Sequence, residues 1–180
     1  DRLSALCQIT VASQQRGFVA GRHIEDNLFS LEAAAVSLSA TNLKRSATIL
    51  FDFCTAFPSL AHDFLHGVLV HLGLPLTFRR FVEALYVGDG CAVSAGGESH
   101  KGFSIRSGIR QGCPLSPLLF AVVLDPLLRL LKKLVPEATV AAYADDIAIV
   151  VPDLAGAVRL IAPTFATFAA VSGLALNLSK

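Results

Sequence analysis

Apolar residues recur at helical spacing along much of the chain. The clearest stretch covers residues 24–39, where apolar side chains repeat every three or four positions, as on one face of an amphipathic helix. Proline and glycine supply start and stop signals, such as Pro58 in the first turn of one helix and Gly88 after the end of another. These patterns predict helices over residues 24–39, 58–72, 76–86, 117–135 and 153–171.

Shorter apolar runs predict strands. They cover residues 47–53 and 174–178, and a hairpin is predicted over residues 91–105 across Gly96 and Gly97. Residues 139–151 predict two more short strands that meet near Asp145 and Asp146. Because helices and strands interleave and hairpins recur, we predict the α+β class, with a largely antiparallel sheet packed on helices.

Proline marks two features of the long helix over residues 117–135. Ser116 and Pro117 are typical of an N-cap and a first helical residue. Pro126 lies inside this helix, where the missing N–H group is expected to cause a kink or a break.

The composition predicts one sizeable core. Of the 180 residues, 53% are hydrophobic and 16% are charged, which argues against disorder of the whole chain. We expect no membrane partner, because charged residues break every apolar run before it reaches the length of a spanning helix. The start of the chain lacks a secretory signal and methionine is absent, so we expect an excerpt of a longer, intracellular protein of unspecified compartment.

Cysteine spacing and net charge narrow the function only slightly. The 4 cysteines lie far apart without CxxC spacing, which argues against a zinc site and suits a reduced intracellular setting. A net charge of +1 neither demands nor excludes an anionic partner.

Three acidic residues interrupt apolar, strand-like segments: Asp52 in ILFDF, and Asp145 with Asp146 in AAYADDIAIV. A turn or cap would explain the first, and a solvated hairpin tip would explain the pair. Like charges in a poorly solvated site repel, however, and a divalent cation would neutralise them. Carboxylate oxygens suit magnesium or manganese. Two such ions, about 3.5–4 Å apart, would support an in-line phosphoryl transfer.

Three motifs, TILFDFCTAF, SGIRQGCPLSPLLF and AAYADDIAIV, occur in this order and resemble the successive palm motifs of reverse transcriptases. Upstream, QQRGFVAGRHIEDN resembles the segment before these motifs in non-LTR retrotransposon and group II intron enzymes. The resemblance extends from about Gln14 to Lys180. YADD alone is a weak signal, whereas YADD after RQGCPLSP and an FDF strand, in the correct order and spacing, is a specific one.

The resemblance implies a polymerase palm with an antiparallel sheet packed on helices, plus part of the fingers. It divides the chain into fingers-like residues, about 1–46 and 76–110, and palm residues, about 47–75 and 111–180. The rest of the fingers and the thumb are expected in the parent chain. Their absence leaves the activity of the isolated fragment open.

By the same resemblance, Asp52, Asp145 and Asp146 are the catalytic acids. Direct binding of two Mg²⁺ ions, with Mn²⁺ as an alternative, is expected of Asp52 and Asp145. Asp146 is a third candidate ligand, and the backbone carbonyl of Phe53 matches a further one. The implied reaction is RNA-directed DNA synthesis, in which a DNA primer 3′-hydroxyl attacks a deoxynucleoside triphosphate on an RNA template.

Four more positions match substrate-binding residues of the family. Phe57 stands where an aromatic ring would exclude a 2′-hydroxyl, although an ordinary core phenylalanine is the alternative. Gln111 and Gly112 match the motif under the incoming nucleotide and template base, or form a plain loop before a helix. Lys180 matches a lysine near the triphosphate, or is simply the end of the chain.

Other interpretations stay open. Arg22 and Asp26 in GRHIEDN would form an ion pair on one helix face or contact the template. A decayed or domesticated retroelement fragment would keep the fold and only bind nucleic acid. A different two-metal enzyme on a similar palm, such as a nucleotide cyclase or a nuclease, would need neither RQGCPLSP nor an aromatic residue at Phe57.

Overall fold

A central three-stranded sheet and its surrounding helices make up most of the fold. The computed structural model describes residues 2–41, 45–88 and 90–179. The helices are α1 (Arg2–Thr10), α2 (Ile24–Ala40), α3 (Ala56–Ser59), α4 (His62–His71), α5 (Leu76–Tyr86), α6 (Ser116–Leu134) and α7 (Leu154–Ser172). The strands are β1 (Ala47–Phe51), β2 (Gly90–Ala95), β3 (Glu98–Ser104), β4 (Thr139–Tyr143) and β5 (Asp146–Val151).

The central sheet has the strand order β1-β5-β4, and both pairings are antiparallel. Phe51 at the end of β1 pairs with Ile147, and Tyr143 pairs with Asp146 beside the tip of the β4–β5 hairpin. Alternate residues of β1 differ in burial, and Leu50 is 78% exposed. One face of the sheet is therefore packed and the other is open along β1. β2 and β3 form a separate two-stranded antiparallel hairpin.

Helix α6 lies at the centre of the core and contacts α1, α4, α7 and β4. Burying each large apolar side chain stabilises the fold by about 1.5–3 kcal/mol, so this helix contributes strongly. Its fully buried large side chains are Phe120, Leu119, Leu124, Leu127, Leu128 and Leu131. Helix α7 packs on the sheet through Phe165, whose ring stacks on Phe51 with centroids 4.6 Å apart.

Helix α7 corrects the expectation that no stretch is apolar enough to cross a membrane. It has 19 residues and passes that test by length and composition alone, as the core helices of soluble proteins also do. Ile161, Phe165 and Phe168 bury part of α7 against the rest of the fold.

The helix predicted from Pro58 to Leu72 is wrong as a single element. It is split into α3 and α4, because Leu60 and Ala61 adopt extended backbone conformations between them. The Ala61 N–H group donates to the Ser172 carbonyl at 2.7 Å, a bond that a continuous helix would not allow. A contact with the end of α7 therefore overrides the local helical preference.

Two predictions about α6 also need correction. Ser116 is the first helical residue, not the N-cap, and its hydroxyl donates to the Arg110 carbonyl at 2.6 Å. Pro126 does not break the helix, which continues to Leu134. Buried residues on both sides of this proline, such as Leu124 and Leu127, hold the two halves in the core.

One of the strands predicted near Asp52 is shorter than expected, and the other is absent. β1 ends at Phe51, and residues 174–178 form no strand. Leu176 instead makes an isolated antiparallel bridge with Phe53.

Candidate active site

The ends of two neighbouring strands bring Asp52 and Asp146 together. Phe51 pairs with Ile147, and each acid lies one residue beyond this pair. Side chains alternate along a strand, so both acids leave the sheet on the face opposite to Phe51 and Ile147. Asp52 is half-buried and Asp146 is exposed.

Asp145 lies in the two-residue turn that joins β4 to β5. The turn consists of Ala144 and Asp145, and Ala144 has a φ of 55°. Hairpin turns of this length need positive φ at the first turn residue, because only then does the turn follow the twist of the strands. Asp145 is half-buried at the tip. The three aspartates therefore come from adjacent strand ends.

The donor chemistry of these residues fits a magnesium or manganese site, because carboxylates are the hard oxygen ligands that these ions prefer. Within residues 2–41, 45–88 and 90–179, no three His, Cys, Asp or Glu side chains form a ready metal cluster. The backbone thus brings the three aspartates to neighbouring positions, but their carboxylates are not arranged around a single metal position.

Residues after α7 hydrogen-bond to Asp52 and to the residues that follow it. The Asp52 carbonyl accepts the Asn177 N–H at 2.8 Å, and the Asn177 amide donates to Asp52 Oδ2 at 3.2 Å. Cys54 N–H donates to the Ala175 carbonyl at 2.8 Å. Because these bonds flank Phe53 and point to one side, the Phe53 carbonyl points to the other side. Lys180 lies outside the described residues.

Segment 14–17 supports the hairpin from the side of β4. Gln15 bridges to Ala142 in parallel, and the buried Gln15 side chain hydrogen-bonds both the N–H and the C=O of Ala144. Asn27 adds a bond from its side-chain amide to the Ala142 carbonyl at 2.9 Å. Sequence reasoning missed Gln15 and Asn27. Both lie in QQRGFVAGRHIEDN, so the motif carried the signal but not the partners.

Arg22 is structural, and its side chain does not form a pair on the face of a helix. It precedes α2, and its guanidinium donates to the carbonyls at the end of α1 and beyond, those of Gln8, Val11, Ala12 and Gln15. Burial, followed by the nearby charge of Arg16, lowers the pKa of Arg22. Asp26 is exposed in the first turn of α2, where a negative charge favours the helix dipole.

Phe57 is half-buried between two other rings. Its ring stacks on Phe120 with centroids 4.8 Å apart, and Phe18 meets it edge-on at 6.5 Å. Phe18 is 42% exposed and has a φ of 63°, which is unusual for a bulky residue. Phe57 is thus packed on one side and accessible in part.

Gln111 and Gly112 are exposed in the loop before α6. Gly112 has a φ of 84°, with open space where a side chain would lie. The preceding residues tie this loop to the segment after Asp52, because Ile109 N–H donates to the Phe57 carbonyl at 2.9 Å and Gly108 N–H to the Leu60 carbonyl at 2.7 Å.

The sequence matches the family described as reverse transcriptase (RNA-dependent DNA polymerase) over residues 1–180. It is 31% identical over 173 residues to the retrovirus-related Pol polyprotein of the type-2 retrotransposable element R2DM from Drosophila melanogaster. It is also 29% identical over 188 residues to the transposon TX1 149 kDa protein of Xenopus laevis. The alignments cover 93% and 99% of this chain, but 16% and 14% of those proteins, so the chain spans a small part of their length.

Solved telomerase structures share the fold. Telomerase from Candida albicans, in complex with a fragment of telomeric RNA, matches with a TM-score of 0.75 at 14% identity, over 99% of this chain and 33% of that one. Apo telomerase from Candida tropicalis, truncated from its C-terminal domain, matches with a TM-score of 0.73 at 12% identity, over 99% and 38%. The predicted α+β palm fold is therefore confirmed, and the chain belongs to the reverse transcriptase (RNA-dependent DNA polymerase) family.

Proposed function

We propose that the chain is the catalytic core of an RNA-directed DNA polymerase encoded by a non-LTR retroelement. Family membership and the retrotransposon relatives support this activity. The observation that carries the proposal is the placement of Asp52 and Asp146 on one face of the sheet, beside the turn that holds Asp145.

When bound, two Mg²⁺ ions, or Mn²⁺ in their place, would activate the primer 3′-hydroxyl and stabilise the leaving pyrophosphate. Asp52 and Asp145 would hold them, with Asp146 as a third ligand and the Phe53 carbonyl as a further oxygen donor. Asn177 orients the Asp52 carboxylate by donating to Oδ2.

Phe57 would select the sugar of the incoming nucleotide. Its stacking on Phe120 fixes the plane of the ring, so the ring would not turn aside for a 2′-hydroxyl. Gln111 and Gly112 would lie under the nucleotide and the template base, because their exposed loop leaves backbone and amide groups accessible.

The proposed partners are an RNA template, a DNA primer and deoxynucleoside triphosphates, with an intracellular place of action. Further fingers and thumb segments of a parent chain would add contacts to the duplex. The division into fingers-like residues 1–46 and 76–110 and palm residues 47–75 and 111–180 stays a prediction.

The test is incorporation of deoxynucleotides by the parent-length protein on a primed poly-RNA template with Mg²⁺. Asp52→Asn and Asp145→Asn should each lower the rate by about 100-fold or more, as loss of a charge-stabilising group does. Glu137→Gln is the matched control, because Glu137 is exposed just before β4, at the end of that strand remote from the turn. It should retain the wild-type rate.

Two outcomes would overturn the proposal. Wild-type protein that binds primer–template without incorporating nucleotides would favour a domesticated, non-catalytic fragment. Full activity in Asp145→Asn would remove the assigned metal site.

A further inference from the structure

The Gln15 side chain is completely buried against the tip of the β4–β5 hairpin, with an exposed fraction of 0%. Its Oε1 accepts the N–H groups of Ala144, at 3.0 Å, and Gly17, at 2.8 Å. Its Nε2 donates to the Ala144 carbonyl at 3.0 Å. These bonds fix the amide in one orientation, because exchanging its oxygen and nitrogen would set donor against donor.

Ala144 is the residue that needs this support. Its φ of 55° lies in the left-handed region, which is unfavourable for any residue with a Cβ atom. Asp145 follows directly, so the backbone conformation of Ala144 determines the position from which the Asp145 side chain extends. Bonds that hold both polar groups of Ala144 therefore also restrict Asp145.

Gly17 allows the supporting segment to approach the turn this closely. A Cβ atom at Gly17 would lie 2.2 Å from the Ala144 nitrogen, which no real contact permits. On either side of Gln15, Arg16 N–H donates to the Ala142 carbonyl at 2.9 Å, and the Gln14 carbonyl accepts Ala142 N–H at 2.8 Å. The segment thus runs along β4 and ends at the turn.

The segment is itself anchored to two helices. Arg22 donates to the Gln15 carbonyl at 2.7 Å and to the Ala12 carbonyl at 2.6 Å. Asp125 of α6, which is 5% exposed, accepts the Ala12 N–H at 2.6 Å. Arg22 also donates to the Gln8 carbonyl of α1 at 3.1 Å, so Gln15 is part of a support that is tied to α1 and α6.

We propose that Gln15 is a positioning residue that holds the Ala144–Asp145 turn in the conformation required for metal binding. It acts through the backbone of Ala144. The proposal rests on the function proposed above for Asp145, and it extends that function to a residue in a different part of the sequence.

The test is an EPR titration of Mn²⁺ into the parent-length protein bound to a primer–template. Gln15→Ala removes all three bonds, whereas Gln15→Glu keeps both acceptor contacts but replaces the donor to the Ala144 carbonyl by a second oxygen, which sets acceptor against acceptor. The Mn²⁺ affinity should fall by about ten-fold in Gln15→Ala and by a smaller factor in Gln15→Glu, as when an orienting partner of a metal ligand is lost. Thermal unfolding measures whether each variant is folded. If Gln15→Ala does not fold, the Mn²⁺ affinity of Gln15→Glu provides the test.

Asn27→Ala is the matched control. Asn27 of α2 is also a buried amide that supports the hairpin, but it donates to Ala142, two residues before the turn. The variant should lower the unfolding temperature and leave the Mn²⁺ affinity within about two-fold of wild type, because it does not touch the backbone that carries the ligand.

The outcomes separate this proposal from the proposed function. Wild-type Mn²⁺ affinity in the folded Gln15 variants, or an equal loss in Asn27→Ala, would overturn the positioning role while the function stands. Wild-type affinity in Asp145→Asn would overturn both, because no metal would then depend on the turn.

Discussion

Asp52 and Asp146 lie one residue beyond the same cross-strand pair, on neighbouring antiparallel strands. Both leave the sheet on the face opposite to the ring of Phe51, which is packed on Phe165. Like charges at such close positions repel, and a cation bound between the two carboxylates would neutralise this repulsion. The register of the five-residue strand β1 against β5 therefore places the two acids where the proposed metal binding requires them.

Replacing Gly17 by alanine tests the close approach to the turn. The added Cβ atom would overlap the Ala144 backbone, so the free energy of unfolding should fall by about 1–3 kcal/mol. Gly67→Ala is the control, because nothing apart from the adjoining backbone of α4 lies within 4 Å of its Cβ position. That change should raise the free energy of unfolding by about 0.5–1 kcal/mol. Urea unfolding followed by circular dichroism measures both, and equal effects would contradict the packing described.

Replacing Arg22 tests its structural role. Arg22→Ala leaves the Gln8 carbonyl of α1 and carbonyls of the following loop without their charged donor, which should cost about 2 kcal/mol of unfolding free energy. Arg22→Lys should restore less than half of that, since an ammonium group lacks the planar fork. Chemical unfolding of the three proteins gives the values. Wild-type stability of Arg22→Lys would contradict this, because it would show that the positive charge alone accounts for the contribution of Arg22.

Replacing Phe57 tests sugar selection. Phe57→Val should reduce the preference for deoxynucleotides over ribonucleotides by about 100-fold in kcat/KM, because the clash with the 2′-hydroxyl is removed. Phe57→Tyr keeps the ring and should keep the preference. Competition assays with both nucleotide types measure the ratio. An unchanged ratio in Phe57→Val would identify Phe57 as an ordinary core residue stacked on Phe120.

Local signals predicted those elements that depend on local sequence. Helix α5 has its predicted limits, because Pro75 precedes it and Gly88 follows its end. The break at Leu60 and Ala61 was beyond such reasoning, since it depends on a bond to Ser172 at the end of α7. Helix propensity describes the local preference of a segment and does not include a hydrogen bond to a carbonyl that is distant in sequence.

The candidate site shows the same limit. An acid within an apolar strand is a clear signal in a sequence because burying charge is costly, and this signal identifies Asp52, Asp145 and Asp146. A buried glutamine gives no such signal. The partner of Gln15, Ala144, lies 129 residues away, and only the tertiary structure brings the two together.

The most direct measurement is an anomalous-difference map of the parent-length protein crystallised with Mn²⁺, primer–template and a deoxynucleoside triphosphate. We expect manganese peaks about 2–2.5 Å from carboxylate oxygens of both Asp52 and Asp145. Peaks bound by other side chains, or an Asp52 carboxylate directed to the Phe51 face of the sheet, would contradict it.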